Sequence, residues 1–295
     1  MRYGEGTRHV GRYLLALVFA TLLALGAAVP VFAAEEPAGE DEVTFQPQIV
    51  GGEPVPDGKY KFVAALRDIT LGNTVYQQQF CGGTLIDRDS VLTAAHCLET
   101  VTAPQLRVSV GITSLKEPRQ GQSRRVERIT RHPEYTTSAL SFRYDAAVLT
   151  LARPVKNIAP AKIPATDHNG LETPGREATI AGWGSTVKQP SNSDPRYPVR
   201  MQEAQVPIVS EKVAKRAYGA DDYVPDLMLA AGEENKDTCQ GDSGGPIFVK
   251  KDNGRISQIG ITSFGNGCGA KNFPGVYTEA NSEGIRPFIY TAAEN

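Results

Sequence analysis

Short apolar runs separated by turn residues make up the sequence from Lys59 onward, and this pattern limits the possible folds more than any other feature. The gaps between the runs contain many of the 29 Gly and 20 Pro residues, as expected for tight turns between β-strands. Helical periodicity is confined to two candidates, near residues 209–218 and 285–292, and Pro287 fits the second only in its first turn. The apolar runs are residues 62–66, 83–86, 106–111, 146–151, 178–183 and 258–264. The pattern predicts an all-β barrel or sandwich.

The beginning of the chain has the features of a secretory signal. Three arginines precede an apolar run at residues 14–28, and Val31-Phe32-Ala33 suits signal peptidase. The run is shorter than the ~20 apolar residues that a membrane-spanning helix needs. We therefore predict a signal peptide over residues 1–33, cleaved after Ala33 or Ala34, and a secreted, extracellular protein with no membrane anchor.

Residues 34–48 are rich in acidic side chains and contain proline, so they cannot build a core and are expected to form a solvated linker. Residues 49–295 remain for the globular part. The formal net charge of the whole chain is −2, which argues against a nucleic-acid partner.

Ser243 lies among three glycines and two acids in the stretch Asp237-Thr238-Cys239-Gln240-Gly241-Asp242-Ser243-Gly244-Gly245. Glycine lets a backbone turn sharply and leaves its N–H groups accessible to a developing negative charge. Taken alone, the motif is also compatible with a plain turn. It further matches G-x-S-x-G, the nucleophile elbow of the α/β-hydrolases, but that class has its histidine after the serine. All four histidines here precede Ser243, which removes that interpretation: His9, His96, His132 and His168.

Upstream of Ser243, the segment Thr93-Ala94-Ala95-His96-Cys97 supplies a histidine, and Asp145 leads into an apolar run. The order His96, Asp145, Ser243 is that of the chymotrypsin triad rather than the subtilisin triad. The sequence resembles the trypsin-like serine proteases of the chymotrypsin family, and a secreted bacterial trypsin in particular. Two further motifs extend the resemblance over residues 49 to about 290: Ile49-Val50-Gly51-Gly52 and Pro274-Gly275-Val276-Tyr277.

The resemblance implies two six-stranded antiparallel β-barrels packed face to face over residues 49–295, with a crossover near residues 155–175 and a short C-terminal helix. His96 and Asp145 would lie on the first barrel and Ser243 on the second, so that the active site forms in the cleft between them.

The resemblance also assigns roles to these residues. Ser243 would attack a peptide carbonyl, His96 would accept its proton, and Asp145 would hold the imidazole in the correct tautomer. The amides of Gly241 and Ser243 would form the oxyanion hole. Each residue alone has a structural explanation, as a buried histidine or a turn residue, but the three motifs together favour a hydrolase that works through an acyl-enzyme.

Asp237 precedes Ser243 by six residues, and in the trypsin pattern an acid at this position lies at the floor of the primary pocket. This predicts protein or peptide substrates with Arg or Lys before the cut bond. The pocket walls of the pattern correspond to Ser263, Gly265 and Gly275, while Phe264 stands where trypsin has tryptophan.

The resemblance also implies that the protein is activated by cleavage before Ile49. In trypsin-like zymogens the freed amino terminus, here Ile49, pairs with the acid before the serine, here Asp242. Gln48 precedes Ile49, so an enzyme that cuts after basic residues should not release its own 34–48 propeptide. We therefore expect a zymogen, a separate activating protease as partner, proteinaceous inhibitors as further partners, and a monomer.

Four cysteines in an oxidising compartment are expected to form bridges, and three pairings are possible. The family resemblance implies Cys81 with Cys97 and Cys239 with Cys268. Zinc is disfavoured because the sequence has no C-x-x-C pair and no second histidine at ligand spacing. We expect no metal at this site and no cofactor.

Two alternatives stay open from the sequence: a catalytically silent homologue that acts as a binding module, and an active enzyme with chymotrypsin-like preference. We further expect His132 and His168 to be surface residues, because both lie in turn contexts.

Overall fold

The computed structural model describes residues 49–138, 141–166, 170–188, 194–251 and 254–294. The predicted signal peptide and propeptide, residues 1–33 and 34–48, lie outside the described residues, and so does His168. Among the helices of the described ranges, none is long and apolar enough to cross a bilayer.

The described chain is mostly β-structure. Its strands are β1 (Glu53–Pro54), β2 (Val63–Asp68), β3 (Gln79–Asp87), β4 (Ser90–Thr93), β5 (Leu106–Val110), β6 (Gln122–Arg131), β7 (Thr136–Thr137), β8 (Phe142–Arg143), β9 (Ala147–Leu151), β10 (Glu177–Gly182), β11 (Gln202–Pro207), β12 (Met228–Ala231), β13 (Pro246–Lys250), β14 (Ile256–Phe264) and β15 (Gly275–Glu279). The α-helices are α1 (Val75–Gln78), α2 (Glu211–Tyr218) and α3 (Arg286–Glu294), and 3₁₀ turns cover His96–Leu98, Ala103–Gln105 and Pro118–Gln120.

Six antiparallel strands close the first barrel, in the order β2-β3-β4-β9-β6-β5. Alternate residues of a barrel strand point inward, so each strand supplies apolar side chains to one core. Leu66 of β2 pairs in register with Val108 of β5, for example, and both are fully buried. The apolar runs of the sequence at residues 62–66, 83–86, 106–111 and 146–151 fall on these strands.

The second sheet has the order β1-β11-β10-β13-β14-β15-β12. Strands β10 to β15 supply the six strands of the second barrel, and β1 adds to the edge of β11, with Glu53 opposite Glu203. A bridge between Ile208 and Ala231 brings β12 back to the end of β11. The predicted all-β double-barrel fold with a short C-terminal helix is therefore confirmed.

The chain passes from the first barrel to the second after Leu151 and before Glu177, a stretch that includes residues 155–175. Aromatic side chains join the two halves. The ring of Phe248 packs edge-on against Tyr60 and Phe62, with centroids 5.0 and 5.3 Å apart. These contacts fix the position of one barrel against the other.

Both predicted helices are present. The side chain of Ser210 caps α2 by accepting a hydrogen bond from the N–H of Val213, and Pro287 occupies the first turn of α3, where proline is tolerated. Helix α3 returns to the first barrel, since Ser90 in β4 donates a hydrogen bond to the carbonyl of Ala293. The short helix α1 has no counterpart among the predictions.

The expectation that His132 is a surface residue is wrong. Only 6% of it is exposed, and its ring lies 4.7 Å from the rings of both Tyr144 and Phe288. Its Nε2 donates to the carbonyl oxygen of Gly284 at 3.1 Å. Burial lowers the pKa of His132, because an apolar site disfavours the charged ring. The local sequence indicates a turn here but does not show that α3 covers it.

Candidate active site

A short turn after β4 positions His96. Ala94 and Ala95 are fully buried beneath it, and the 3₁₀ turn begins at His96 itself. A disulfide between Cys97 and Cys81 ties this turn to β3, with an S–S distance of 2.04 Å. The disulfide thereby fixes the backbone of His96 relative to β3.

Asp145 lies just before β9 and is fully buried. Its Oδ1 accepts from the backbone N–H of His96 at 2.9 Å, and its Oδ2 lies 2.7 Å from Nδ1 of the same residue. A carboxylate can only accept hydrogen bonds, so Nδ1 of His96 carries the proton and Nε2 is left as the basic nitrogen. The hydroxyl of Ser263 donates to the same Oδ2 at 2.6 Å.

The imidazole is also held by an aromatic ring. Phe142 stacks on His96 with centroids 4.8 Å apart and planes inclined by 16°. Phe142 in turn packs edge-on against Phe264, which packs edge-on against Tyr218. The histidine thus begins an aromatic row that leads toward the pocket described below.

Ser243 lies at the start of the loop before β13 and is partly exposed. Its carbonyl oxygen accepts from the N–H of Gly82 in β3 at 2.7 Å, which joins this loop to the first barrel. Sγ of Cys97 lies 3.6 Å from that carbonyl oxygen and 3.8 Å from Nε2 of His96. The carbonyl oxygen of Ser243, from the second barrel, and Nε2 of His96, from the first, therefore both lie close to the same sulfur atom of Cys97.

The amide groups around Ser243 fall into two classes. Those of Asp242 and Gly244 donate to carbonyls, whereas those of Gly241 and Ser243 donate to no acceptor among the described residues. Gly241 has a φ of 95°, in the region that favours glycine. Two free N–H groups separated by one bonded amide are suited to bind the oxygen of an incoming carbonyl.

Asp242 points away from this site into the second barrel. Its carboxylate is buried and accepts from the N–H groups of Gly184 at 2.8 Å and Cys239 at 3.0 Å. Burial raises its pKa from 3.8 to about 7, and the two hydrogen bonds oppose the rise only in part. A Cβ at Gly182 or Gly184 would lie 2.2 or 2.3 Å from the carboxylate, so only glycine fits at either position.

Residues 49–52 are docked on the second barrel. Ile49 is fully buried in its core, and Val50 packs against the disulfide between Cys239 and Cys268. The carbonyl of Val50 accepts from the N–H of Asp237 at 3.2 Å. The segment that is predicted to form the amino terminus of the processed protein is therefore in contact with the loop that contains Asp237.

A cavity of about 130 Å³ opens beside Ser243, with Asp237 at its inner end. Asp237 is 2% exposed, and its carboxylate accepts from the N–H groups of Thr238 at 2.8 Å and Gly269 at 3.1 Å. Burial raises its pKa to about 7. Among the described residues it forms no ion pair, so the cavity ends in a carboxylate that lacks a cation.

The predicted pocket walls line this cavity, namely Ser263, Gly265 and Gly275, together with Phe264. A Cβ on Gly275 would lie 2.5 Å from Oδ1 of Asp237, and a Cβ on Gly265 would lie 4.0 Å from Cα of Gly275. Side chains at these glycines would therefore close the passage to Asp237. A cavity of this size that is lined by a buried carboxylate suits a side chain with a cationic end.

Both cysteine pairings implied by the resemblance are present: Cys81 with Cys97, and Cys239 with Cys268. Cys81, Cys97 and His96 lie close together, but the two sulfurs are joined to each other and offer no thiolate to a metal. The second bridge connects the loop of Asp237 to the segment of Gly267 and Cys268, which also lines the cavity.

The structure thus brings together His96, Asp145 and Ser243, and it places Asp237 in the adjoining cavity. Sequence reasoning missed three contributors: Phe142, which stacks on His96, and the glycines 182 and 184, which enclose Asp242. It assigned Ser263 to the pocket wall but not to the carboxylate of Asp145. The Gly-Trp-Gly string at residues 182–184 is the sequence signal for a close backbone approach here.

Comparison with known proteins agrees with this geometry. Residues 49–288 match the trypsin family model. The chain is 39% identical over 236 residues to a trypsin of Saccharopolyspora erythraea, covering 79% of this chain and 94% of that protein. It is 36% identical over 243 residues to trypsin 5G1 of Aedes aegypti, with coverages of 80% and 82%. It is also 34% identical over 268 residues to trypsin II-P29 of Gallus gallus, with coverages of 89% and 93%.

Proposed function

The chain belongs to the trypsin family of serine proteases, and from this premise we propose that it is secreted as a zymogen and cuts proteins after Arg and Lys. Family membership itself makes it a trypsin-like serine endopeptidase with protein or peptide substrates. The residue preference, the catalytic roles and the zymogen form are the finer parts of the proposal.

The preference for basic residues is supported above all by the buried Asp237. A buried carboxylate that forms no ion pair with the described residues and lines the cavity beside Ser243 is a poor site for an apolar side chain. An Arg or Lys side chain would fill the cavity and supply the missing charge. A substrate without a cationic side chain would leave the buried Asp237 unpaired. The pocket therefore both attracts basic side chains and disfavours apolar ones.

The reaction proceeds in two halves. Oγ of Ser243 attacks the peptide carbonyl carbon while Nε2 of His96 takes the hydroxyl proton, and the carbonyl oxygen becomes an oxyanion between the amides of Gly241 and Ser243. The C–N bond then breaks, and the amine leaves with the proton from His96. Water attacks the acyl-enzyme by the same route in reverse and restores Ser243.

Asp145 keeps the histidine in its working orientation. Its Oδ2 receives the Nδ1 proton at 2.7 Å and stabilises the imidazolium that forms when Nε2 takes the proton. Because Asp145 is fully buried, its charge is poorly screened by solvent and acts strongly on the ring. The stacked Phe142 limits rotation of the same ring.

Activation follows from residues 49–52 and Asp242. Cleavage after Gln48 would free the ammonium group of Ile49 beside the second-barrel core, where Asp242 is the buried acid. Pairing of the two charges would hold the amides of Gly241 and Ser243 in place. Because Gln48 is not a basic residue, a different protease performs the cut, after the signal peptide over residues 1–33 has been removed.

The test is hydrolysis of a small chromogenic arginyl amide by protein that starts at Ile49. We expect turnover, labelling of Ser243 by an organophosphate, and a loss on the order of 10⁶ in kcat for Ser243→Ala. Absence of both turnover and labelling would instead identify a silent homologue that acts as a binding module.

The separate activator is tested by N-terminal sequencing of secreted Ser243→Ala protein. An Ile49 terminus in this inactive variant is expected, because another protease makes the cut. If the wild-type protein acquires that terminus and the variant does not, the enzyme processes itself and this part of the proposal is wrong.

A further inference from the structure

Three arginines lie in one row across neighbouring strands of the first barrel. Arg67 of β2 pairs in register with Arg107 of β5, and Arg107 pairs in register with Arg125 of β6. Directly paired residues of antiparallel strands point to the same face, and strands lie about 4.8 Å apart, so the row is roughly 10 Å wide. Like charges directly opposite one another destabilise a sheet.

No acid neutralises this row within the part of the chain that the structure describes. None of the three arginines forms an ion pair there. The nearest acid in sequence, Asp68, accepts instead from the N–H and hydroxyl of Thr70, at 2.9 and 2.7 Å. The three positive charges are therefore close together and uncompensated.

Arg67 is the most unusual member, because it is buried, with only 7% of its surface exposed. Its guanidinium donates to the side-chain oxygens of Gln78 at 2.9 Å and Ser123 at 2.6 Å, both neutral groups. Its Nε has no acceptor among the described residues. Burial, and secondarily the charge of Arg107, lower the pKa of Arg67. A buried cation held only by neutral acceptors is costly unless an anion is supplied from outside.

The row lies near the active site. Gln78 contacts Arg67, and the adjacent Gln79 donates from its Nε2 to the carbonyl oxygen of Gly241 at 3.0 Å. A second cavity, of about 480 Å³, lies beside Gly241 and is lined by Tyr76 and Tyr197 among others. Its lining includes Gln79 and Gly241 but not Asp237, so it extends from the proposed oxyanion hole toward the residue next to Gln78.

We propose that the row of Arg67, Arg107 and Arg125 binds an acidic segment of a protein substrate, located several residues after the cut bond. In this arrangement a chain whose basic side chain fills the Asp237 cavity would continue past Gly241 and the second cavity toward Gln78, which accepts a hydrogen bond from Arg67. Carboxylates of that segment supply the anion that the row lacks. The inference rests on the proposed function, because it assumes a basic residue at the cut bond.

The experiment compares two quenched fluorescent peptides with a single Arg before the cut bond. They are identical except that positions four to eight after the cut carry Glu and Asp in one and Gln and Asn in the other. Enzymes starting at Ile49 are the wild type, the double variant Arg107→Gln/Arg125→Gln, and the charge-matched control Lys250→Gln/Lys251→Gln on the second barrel. Arg67 is left unchanged, because replacing a buried residue also tests folding.

At low ionic strength we expect wild type and control to prefer the acidic peptide by about tenfold in kcat/KM, the size of a few surface charge pairs. The double variant should lose this preference, and salt should weaken it in the wild type. Hydrolysis of the short arginyl amide should be the same in all three, because that substrate does not extend to the row.

Three results would overturn the inference: no preference in the wild type, a preference that survives in the double variant, or an equal loss in the control. It is also wrong if a sulfated polysaccharide binds through Arg107 and Arg125 while the acidic peptide gains nothing from them. Failure of the proposed function looks different, since the short arginyl amide itself would then not be hydrolysed. If that amide is hydrolysed but the acidic peptide is not preferred over the neutral one, the proposed function stands and only the proposed role of the arginine row is wrong.

Discussion

Ser263 donates a hydrogen bond of 2.6 Å to Oδ2 of Asp145, the same oxygen atom that faces Nδ1 of His96. Ser263 also lines the cavity that ends at Asp237. One residue of β14 therefore contacts both the acid of the proposed triad and the substrate pocket. This connects the orientation of the histidine to the wall along which a substrate side chain would lie.

Ser263→Ala should reduce kcat more than it changes KM. The substitution removes one donor from a fully buried carboxylate, which costs about 2 kcal/mol and corresponds to about thirtyfold in rate. Steady-state kinetics on an arginyl amide measure it. Thr278→Val is the control, because Thr278 donates only to the backbone carbonyl of Asp145 and should affect kcat less. Equal kcat values for wild type and Ser263→Ala would contradict the expectation.

Asp237→Asn tests the charge of the pocket floor without changing its shape. An Arg side chain would then enter a pocket that has no counter-charge. Removing one partner of a buried ion pair costs about 3 to 5 kcal/mol, which corresponds to a loss of about 10² to 10⁴ in kcat/KM. The measurement is the ratio of kcat/KM for arginyl and phenylalanyl amides. A ratio unchanged from the wild type would rule out Asp237 as the specificity residue and favour the chymotrypsin-like alternative.

Binding of an aromatic amidine should depend on pH through Asp237. In the free protein burial raises its pKa to about 7, so the carboxyl is protonated below that pH and must lose its proton before it can pair with the cation. The Kd should therefore fall about tenfold per pH unit as pH rises toward 7, and then level off. Calorimetry on Ser243→Ala protein measures this, and the additional variant Asp237→Asn should give a flat profile.

Much of this site could be predicted from the sequence, because its residues lie in short motifs with fixed spacing. His96, Asp145, Ser243 and Asp237 each follow or precede a strand at a position that the chain order fixes. The strands could be predicted from the sequence because the residues of a barrel strand alternate between the core and the outside. Both disulfides followed from the family resemblance and agree with the structure.

The features that could not be predicted from the sequence depend on contacts between segments that are distant in the chain. Phe142 stacks on His96 across 46 residues of chain, and nothing local marks it as different from any other aromatic residue. His132 is buried because α3, more than 150 residues later, covers it. The arginine row exists only through strand register, since Arg67, Arg107 and Arg125 are far apart in the sequence. Local patterns carry no information on such pairings.

Gly184→Ala should damage the enclosure of Asp242. The added methyl carbon would lie 2.3 Å from the carboxylate, so either the acid or the backbone must move, at about 1 to 3 kcal/mol of unfolding free energy. We expect a lower denaturation midpoint and reduced kcat in processed enzyme. Gly219→Ala is the control, because Gly219 has a positive φ but a Cβ there would meet no atom within 4 Å, and this variant should retain full kcat.

Asp242 should make the stability of the unprocessed chain depend on pH. Its pKa is about 7 when folded and near 3.8 when exposed, so between these values the folded state holds a proton that the unfolded state has released. The stabilisation from this group is complete below about pH 4 and is lost as pH rises through about 7, with a slope of up to ~1.4 kcal/mol per pH unit.

The comparison that isolates this effect uses Ser243→Ala protein with and without Asp242→Asn, unfolded by denaturant at intervals from pH 4 to 8. Asparagine does not titrate, so the stability of the Asp242 protein relative to the Asn variant should fall across this range. After cleavage at Gln48 the ammonium of Ile49 is expected to pair with Asp242, which favours the ionised acid and should remove the slope. A difference between the two proteins that stays constant with pH before cleavage would contradict the burial argument. A slope that persists unchanged after cleavage would instead contradict the pairing of Ile49 with Asp242, and with it the proposed activation step.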